Sequence, residues 1–336
     1  MAFYGWPISQ CQSPSTPLST QLHGGIRIID IRLAVVPPPS PLDTTDTDKH
    51  ELIAYHGLWP QQTPFTSILN DIFTFLTSPI GSKETIVMSI KQEDFAFTPA
   101  PFFSRLVRDT IIHGPGGWDE SKIQAKAGIN KGMWFLENRI PKLGEVRGKV
   151  VMLSRFGGNG SGWENGLEGL GIHPTTWPDS EMNGFEWELK GTIVRTQDWY
   201  AIPSFLSIPE KVQRATQNLI PPFAPNGQPT LSITYFSAAS FLALPPIVAK
   251  GFGWPAWGLG VEGVNTKLGV WLLDKLAGHP VIDGDAEKRS QTVPEEPRIR
   301  GWTFLDYYSE PEGGRNLVPL LVECNFLGRK KGEEDW

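Results

Sequence analysis

Apolar positions along the chain follow two periods, and the two alternate. Residues 25–33 set Ile26, Ile28, Ile29, Ile31 and Leu33 into a short β-branched run, the pattern of a strand covered on both faces. Asp30 and Arg32 lie two apart in that run and therefore share a face. Residues 52–57 predict a second short strand ending in His-Gly, and 85–91 repeat the opening design, an apolar strand with a charge at its carboxyl end. Further strands are expected at 149–155, 192–199, 230–236 and 300–305. Helix-spaced stripes predict helices over 66–76, with Thr66 or Ser67 as N-cap, and over 102–112, 209–219 and 265–277. Strands alternating with helices predict a parallel sheet with helical cover.

A closed (β/α) barrel needs eight strands, and seven are clear; 133–136 is a short eighth. Residues 1–24 read as an N-terminal loop with a helical turn at 17–22. Residues 157–190 and 244–264 read as barrel-top loops. No Ser/Gly/Pro run divides the chain and no solenoid repeat is visible, so a single α/β domain over 1–336 is the expectation.

Composition narrows the partners. Of 336 residues, 40% are hydrophobic and 20% charged, which fits a globule with a full core. The net charge of -6 gives no electrostatic case for nucleic acid or for attraction to an anionic membrane. Thirteen tryptophans serve carbohydrate stacking and membrane-interface insertion equally well. Cys11 and Cys324 form neither a disulfide framework nor a CxxC metal-ligand spacing. The first residues lack the pattern of a signal peptide and no 18-residue apolar run appears, so a cytoplasmic or peripheral-membrane protein is the default expectation.

The candidate chemistry gathers at the carboxyl ends of the predicted strands: Asp30, Arg32, His56, Lys91, Glu93, Arg155, Asp198, Tyr200, Tyr235 and Asp306. In a barrel these ends converge. Cations mixed with a histidine and carboxylates suit an anionic substrate whose charge grows in the transition state, as a phosphodiester's does. Arg32, Lys91 and Arg155 form the expected phosphate clamp and His56 the titrating group. Against this stand plainer readings: Asp30 with Arg32 as a structural ion pair, His56 as a capped loop residue, and Lys91 with Glu93 as a solvated rim pair. Recurrence favours the functional reading, because burying this many charges separately would cost several kcal/mol each.

In the stretches 25–32, 55–57, 84–91, 147–155 and 197–200, taken in this order, the chain resembles the X-domain of phosphatidylinositol-specific phospholipase C, of the calcium-independent bacterial and fungal type. The resemblance implies a distorted TIM-type (β/α) barrel that cleaves phosphatidylinositol-type lipids at a membrane interface, giving diacylglycerol and a cyclic inositol phosphate. It implies that the inositol 2-hydroxyl is an internal nucleophile, already held beside phosphorus. On that resemblance His56 is the general acid, and Arg32 stands where calcium sits in the eukaryotic enzymes, so neither metal nor cofactor is expected. Lys91, Arg155, Asp198 and Tyr200 fall where the family contacts inositol, and Asp306 where it orients a first catalytic histidine. That histidine, in a Pro-Gly-Thr-His-Asp-type segment on the first strand, has no counterpart here, and the first strand is expected to be missing from this chain. Loss of a general base lowers turnover by about 100 to 10,000-fold, so an impaired enzyme is expected. The alternative is a catalytically silent barrel that binds inositol lipids or inositol phosphates; a Trp-rich glycoside-binding barrel ranks last because it leaves the cation cluster idle. Trp254 and Trp257, in a Gly- and Pro-broken loop, are the expected membrane contacts, or else pack on the helix that follows.

Overall fold

The computed structural model describes residues 5–39, 46–118, 132–157, 169–221, 229–277, 299–310 and 317–326. They gather into two units, Met1–Asp179 with Phe185–Val194, and Ser180–Gly184 with Arg195–Trp336. Each mixes helices with strands, and the described strands fall into sheets of six, four and two.

In the first unit, α1 (Leu18–His23) leads into β1 (Ile28–Val36), β2 (Glu51–His56), β3 (Trp59–Pro64), α2 (Phe65–Leu76), β4 (Thr85–Gln92), α3 (Ala100–His113), β5 (Trp134–Phe135) and β6 (Lys149–Arg155). The sheet order is β3-β2-β1-β4-β6-β5. Side-chain alternation decides its faces. Ile29, Ile31 and Leu33 of β1, Ile86, Met88 and Ile90 of β4, and Val150 and Met152 of β6 join one core with Ile68, Leu69 and Ile72 of α2 and Phe102, Phe103 and Val107 of α3. Each such side chain contributes about 1.5–3 kcal/mol of burial. The intervening residues, Asp30 and Arg32 among them, turn to the opposite face.

The expected all-parallel sheet is corrected here. β1, β4 and β6 run parallel, but β2 pairs antiparallel with β1, from Leu33↔Ala54 to Val36↔Glu51, and β3 pairs antiparallel with β2. The reason lies in the connections: the stretch between β1 and β2 carries no crossover helix among the described residues, and Gly57, at φ 59, turns β2 straight back into β3. Helix α2 also starts earlier than expected. It begins at Phe65 behind an extended Pro64, with no side-chain cap, because Phe65 is itself a core residue. The Gly-rich part of the predicted 157–190 loop, at 158–168, lies outside the described residues. Its far end forms the strand β7 (Phe185–Leu189), which turns through Lys190 and Gly191, both at positive φ, toward β8 (Thr192–Gln197).

In the second unit, α4 (Ile208–Leu219), β9 (Thr230–Tyr235), α5 (Pro245–Lys250), β10 (Gly251–Trp254), β11 (Leu259–Glu262), α6 (Val264–Leu276), β12 (Trp302–Phe304) and α7 (Leu317–Glu323) follow β8. β9 lies between β8 and β12, parallel to β12. The core takes Ile208, Val212, Ala215 and Leu219 from α4, Val264, Leu268 and Leu272 from α6, and Leu317 from α7. The predicted loop 244–264 is instead a short helix and an antiparallel hairpin, β10 with β11.

Candidate active site

Register brings the predicted cations of the first unit together. Arg32 of β1 pairs with Lys91 of β4, and Lys91 pairs with Arg155 of β6. Neighbouring strands lie about 4.8 Å apart, and partners in a parallel register point to one face. The three cations thus form a row at the carboxyl ends of three adjacent strands. Two residues back, Asp30 pairs with Ser89 in the same way.

Bringing these charges together needs carboxylates, and two supply them. Arg32 donates from Nε to Asp30 Oδ2 at 3.0 Å and from one terminal nitrogen to Glu93 Oε1 at 3.1 Å. Arg155 reaches Asp30 Oδ1 at 3.4 Å, Ser89 Oγ donates to the same oxygen at 2.6 Å, and Lys91 Nζ lies 3.8 Å from Glu93 Oε1. The Arg155 guanidinium also lies over the Trp177 ring, 4.0 Å from its centroid. Burial pushes the Asp30 carboxyl up, but Arg32 and Arg155 outweigh it and hold the group at about 2. Burial works against the Arg32 charge too, and Asp30 with Glu93 raises its pKa well above the usual arginine value. For Lys91, burial and then the repulsion of Arg32 win, and its pKa is lowered. Among the described residues, Asp30 and Glu93 are the carboxylates bonded to this row of three cations.

His56 closes β2. Its Nδ1 lies 2.8 Å from the Ser9 carbonyl oxygen, which can only accept, so Nδ1 carries the proton and Nε2 is left with the lone pair. Cys11 Sγ lies 3.4 Å from the same nitrogen. Burial and then the Arg32 charge lower the His56 pKa below its usual value. His56 is the last residue of its strand rather than a loop residue, and its electrostatic neighbours include Arg32, Glu93 and Asp30.

Asp198, Tyr200 and Asp306 belong to the second unit. Asp198 follows β8 and is buried, while Tyr200 is exposed. Asp306 follows β12; its backbone carbonyl, with those of Tyr307 and Glu310, accepts from Asn265 Nδ2 at 2.9–3.1 Å. Both carboxylates act on Lys211, a fully buried residue of α4. Tyr235 is buried and stacks on Phe304, with centroids 4.3 Å apart, which is a core contact.

Sequence reasoning missed Ser9, Cys11, Ser89, Trp177 and Lys211. Ser89 stands to Lys91 as Asp30 stands to Arg32, so the two-residue period was a usable signal. Lys211 falls on the buried stripe of its helix, three residues after Ile208 and one before Val212, which was another. Cys11 and Trp177 reach their partners from loops and Ser9 from a single 3-10 turn, where no period operates. Among the described residues, no group of three or more His, Cys, Asp or Glu side chains is placed to hold a metal ion. No helix among them is long and apolar enough to cross a membrane.

No family model matches the chain. Solved structures do match. A phosphatidylinositol-specific phospholipase C from S. aureus superposes with a TM-score of 0.62 at 18% identity, over 96% of this chain and 87% of that one. The corresponding enzyme from Listeria monocytogenes gives 0.53 at 20% identity, over 95% and 85%. The mixed α/β fold of this protein is therefore the fold of the bacterial phosphatidylinositol-specific phospholipases C.

Proposed function

We propose that the protein is a phosphoric diester hydrolase of the phospholipase C kind, acting on phosphatidylinositol-type lipids. The observation that carries this reading is the row of Arg32, Lys91 and Arg155 on one face of three adjacent strands, beside His56. A row of cations suits a monoanionic phosphodiester, and two guanidinium groups already fixed by Asp30 and Glu93 stabilise its growing charge without reorganising. The inositol 2-hydroxyl gives its proton to water as its oxygen attacks phosphorus, and the bond from phosphorus to the glycerol oxygen breaks. His56 gives a proton from Nε2 to the departing diacylglycerol oxygen. In the empty site burial and Arg32 disfavour that imidazolium; the negative charge of a bound phosphodiester acts the other way. Asp30 holds Arg32 and Arg155, and Lys91 and Arg155 contact the inositol phosphate.

We read 1–336 as a single distorted (β/α) barrel domain. The Ile28–Arg32 half of β1 is paired with β4, while its pairing with β2 begins at Leu33, so that half is the edge which a first strand would join. The exposed Trp254 and Trp257, 69% and 81% accessible, are the proposed membrane contacts, with Phe252 and Leu259 of the same hairpin.

A second reading, binding of inositol lipids without cleavage, has its own support. Besides His56, His23 bonds the Ser19 carbonyl and packs on Phe75, and His50 bonds the Pro37 carbonyl and packs on Phe102, which commits both elsewhere. The decisive experiment incubates the protein with phosphatidylinositol vesicles and follows phosphorus NMR. Appearance of a cyclic inositol phosphate, lost in Arg32→Met, is expected. Vesicle binding without product would select the second reading, and the absence of both product and binding would end the first as well.

A further inference from the structure

Asp30 serves two cations at once, and the direction of its carboxylate decides how far apart they stand. Oδ2 accepts from Arg32 Nε at 3.0 Å, and Oδ1 lies 3.4 Å from a terminal nitrogen of Arg155. An aspartate carboxylate turns easily about its last bond, which has two broad wells rather than three narrow ones. A contact of 3.4 Å holds that angle poorly, since N–H···O bonds centre on about 2.9–3.0 Å. Ser89 supplies the anchor: its hydroxyl donates to Oδ1 at 2.6 Å, the shortest of these three contacts. Register makes the bond, because Ser89 of β4 pairs with Asp30 of β1 and partners in a parallel ladder point to one face. Packing gives no reason for a hydroxyl there. Ser89 is fully buried in a central strand, on the face that turns away from Ile86, Met88 and Ile90. Alanine would occupy the space with no polar group to satisfy.

We propose that Ser89 is a positioning residue: its hydroxyl fixes the plane of the Asp30 carboxylate, so that each oxygen is aimed at a different guanidinium and Arg32 and Arg155 keep the spacing that grips a phosphodiester. The proposal rests on the reading that these two arginines belong to the substrate site. Ser89 is too deeply buried to touch the substrate; it acts through Asp30. Without its bond the carboxylate can turn Oδ1 away from Arg155 while keeping Oδ2 on Arg32, so the two cations respond differently to the loss. Preset donors stabilise developing charge because they need not reorganise during reaction, and a guanidinium free to swing gives up that advantage.

The test uses the full chain labelled with nitrogen-15 at arginine, with Arg32→Lys and Arg155→Lys for assignment. In Ser89→Ala the Arg155 guanidinium resonances should shift and broaden, while those of Arg32 stay in place. On phosphatidylinositol vesicles kcat and kcat/KM should fall together, by about 10 to 100-fold, as for a catalytic group misplaced by up to about 1 Å. In an Asp30→Asn background Ser89→Ala should cost nothing further, because the two side chains act as one unit. Unmoved Arg155 resonances, a rise in KM alone, or full additivity with Asp30→Asn would overturn the proposal, as would a lowered melting temperature with kcat and the Arg155 resonances intact. If Ser89→Ala does not fold, Ser89→Cys takes its place: the thiol is close in size and a weak donor, so the Arg155 resonances must again shift, and unchanged ones overturn the proposal. Should the unsubstituted protein release no cyclic inositol phosphate, the phospholipase reading fails, while the arginine resonances still decide whether Ser89 directs Arg155.

Discussion

The two units each bury cations against carboxylates, and they do it in opposite ways. In the first, Arg32, Arg155, Asp30, Ser89 and Glu93 neutralise one another through bonds of 2.6–3.4 Å. In the second, the field of Asp198 and Asp306 acts on Lys211, whose Nζ has no hydrogen-bond partner among the described residues. The titration behaviour divides accordingly. Asp30, whose burial is outweighed by two guanidinium groups, lies at about 2, so the ion pairs deepen its charged state. Lys211, whose burial is not outweighed, lies at about 8, below its usual value, so its charged state is under strain. A bonded cluster contributes stability as well as charge, whereas a charge held on field alone draws on stability contributed by the rest of the core.

The largest effect that separates them is kinetic. His56→Ala removes the proposed proton donor beside the bonded cluster and should lower cleavage of phosphatidylinositol by about 100 to 10,000-fold with little change in melting temperature; a drop under about threefold would put the chemistry elsewhere. Next comes a stability window in the second unit. The folded pKa of Lys211 is depressed, so between about 8 and its ordinary 10.5 the unfolded chain binds more protons than the folded one, and stability rises with pH across that window. The rise amounts to about 3 kcal/mol at 1.36 kcal/mol per pKa unit. Urea unfolding of the unsubstituted protein minus that of Lys211→Met, measured from pH 7 to 11, isolates it, and parallel curves would mean that the ammonium is not strained.

The first unit gives a smaller window at the other end of the scale. The folded pKa of Asp30 is lowered from 3.8 to about 2, so its contribution is complete above 3.8 and is lost as pH falls through 2. Asp30→Asn should therefore lose about 2 kcal/mol at neutral pH, and its deficit should disappear toward pH 2 in urea unfolding. Equal stability at pH 6 would show that the bonds of the row contribute nothing net. The smallest effect concerns neither cluster. Trp254→Ala with Trp257→Ala should weaken sedimentation with phosphatidylinositol vesicles roughly tenfold and leave melting unchanged, because both rings are exposed.

Particular residues show what could be read from the chain and what could not. The strands 149–155 and 85–91 and the helices 209–219 and 265–277 emerge within about two residues of expectation, because each carries its own period of apolar positions. The hairpin of β10 and β11 leaves no such pattern: Gly251, Gly253, Gly258 and Gly260 all sit at positive φ, and the hairpin has no alternating core face to reveal it. In the candidate site, Asp30 with Arg32 was readable as a pair on one face, since the two-residue alternation of a strand is covalent geometry and needs no partner. That Arg32, Lys91 and Arg155 form one row depends on the register of three strands, which packing of the helix-covered face selects, since a one-residue slip would move all the charges into the core. The ring of His56 is turned by a carbonyl at Ser9, far away in sequence. Local spacing thus placed the charges on their strands, while long-range burial and register decided which of them meet, which are bonded, and which, like Lys211, are left holding a charge in the core.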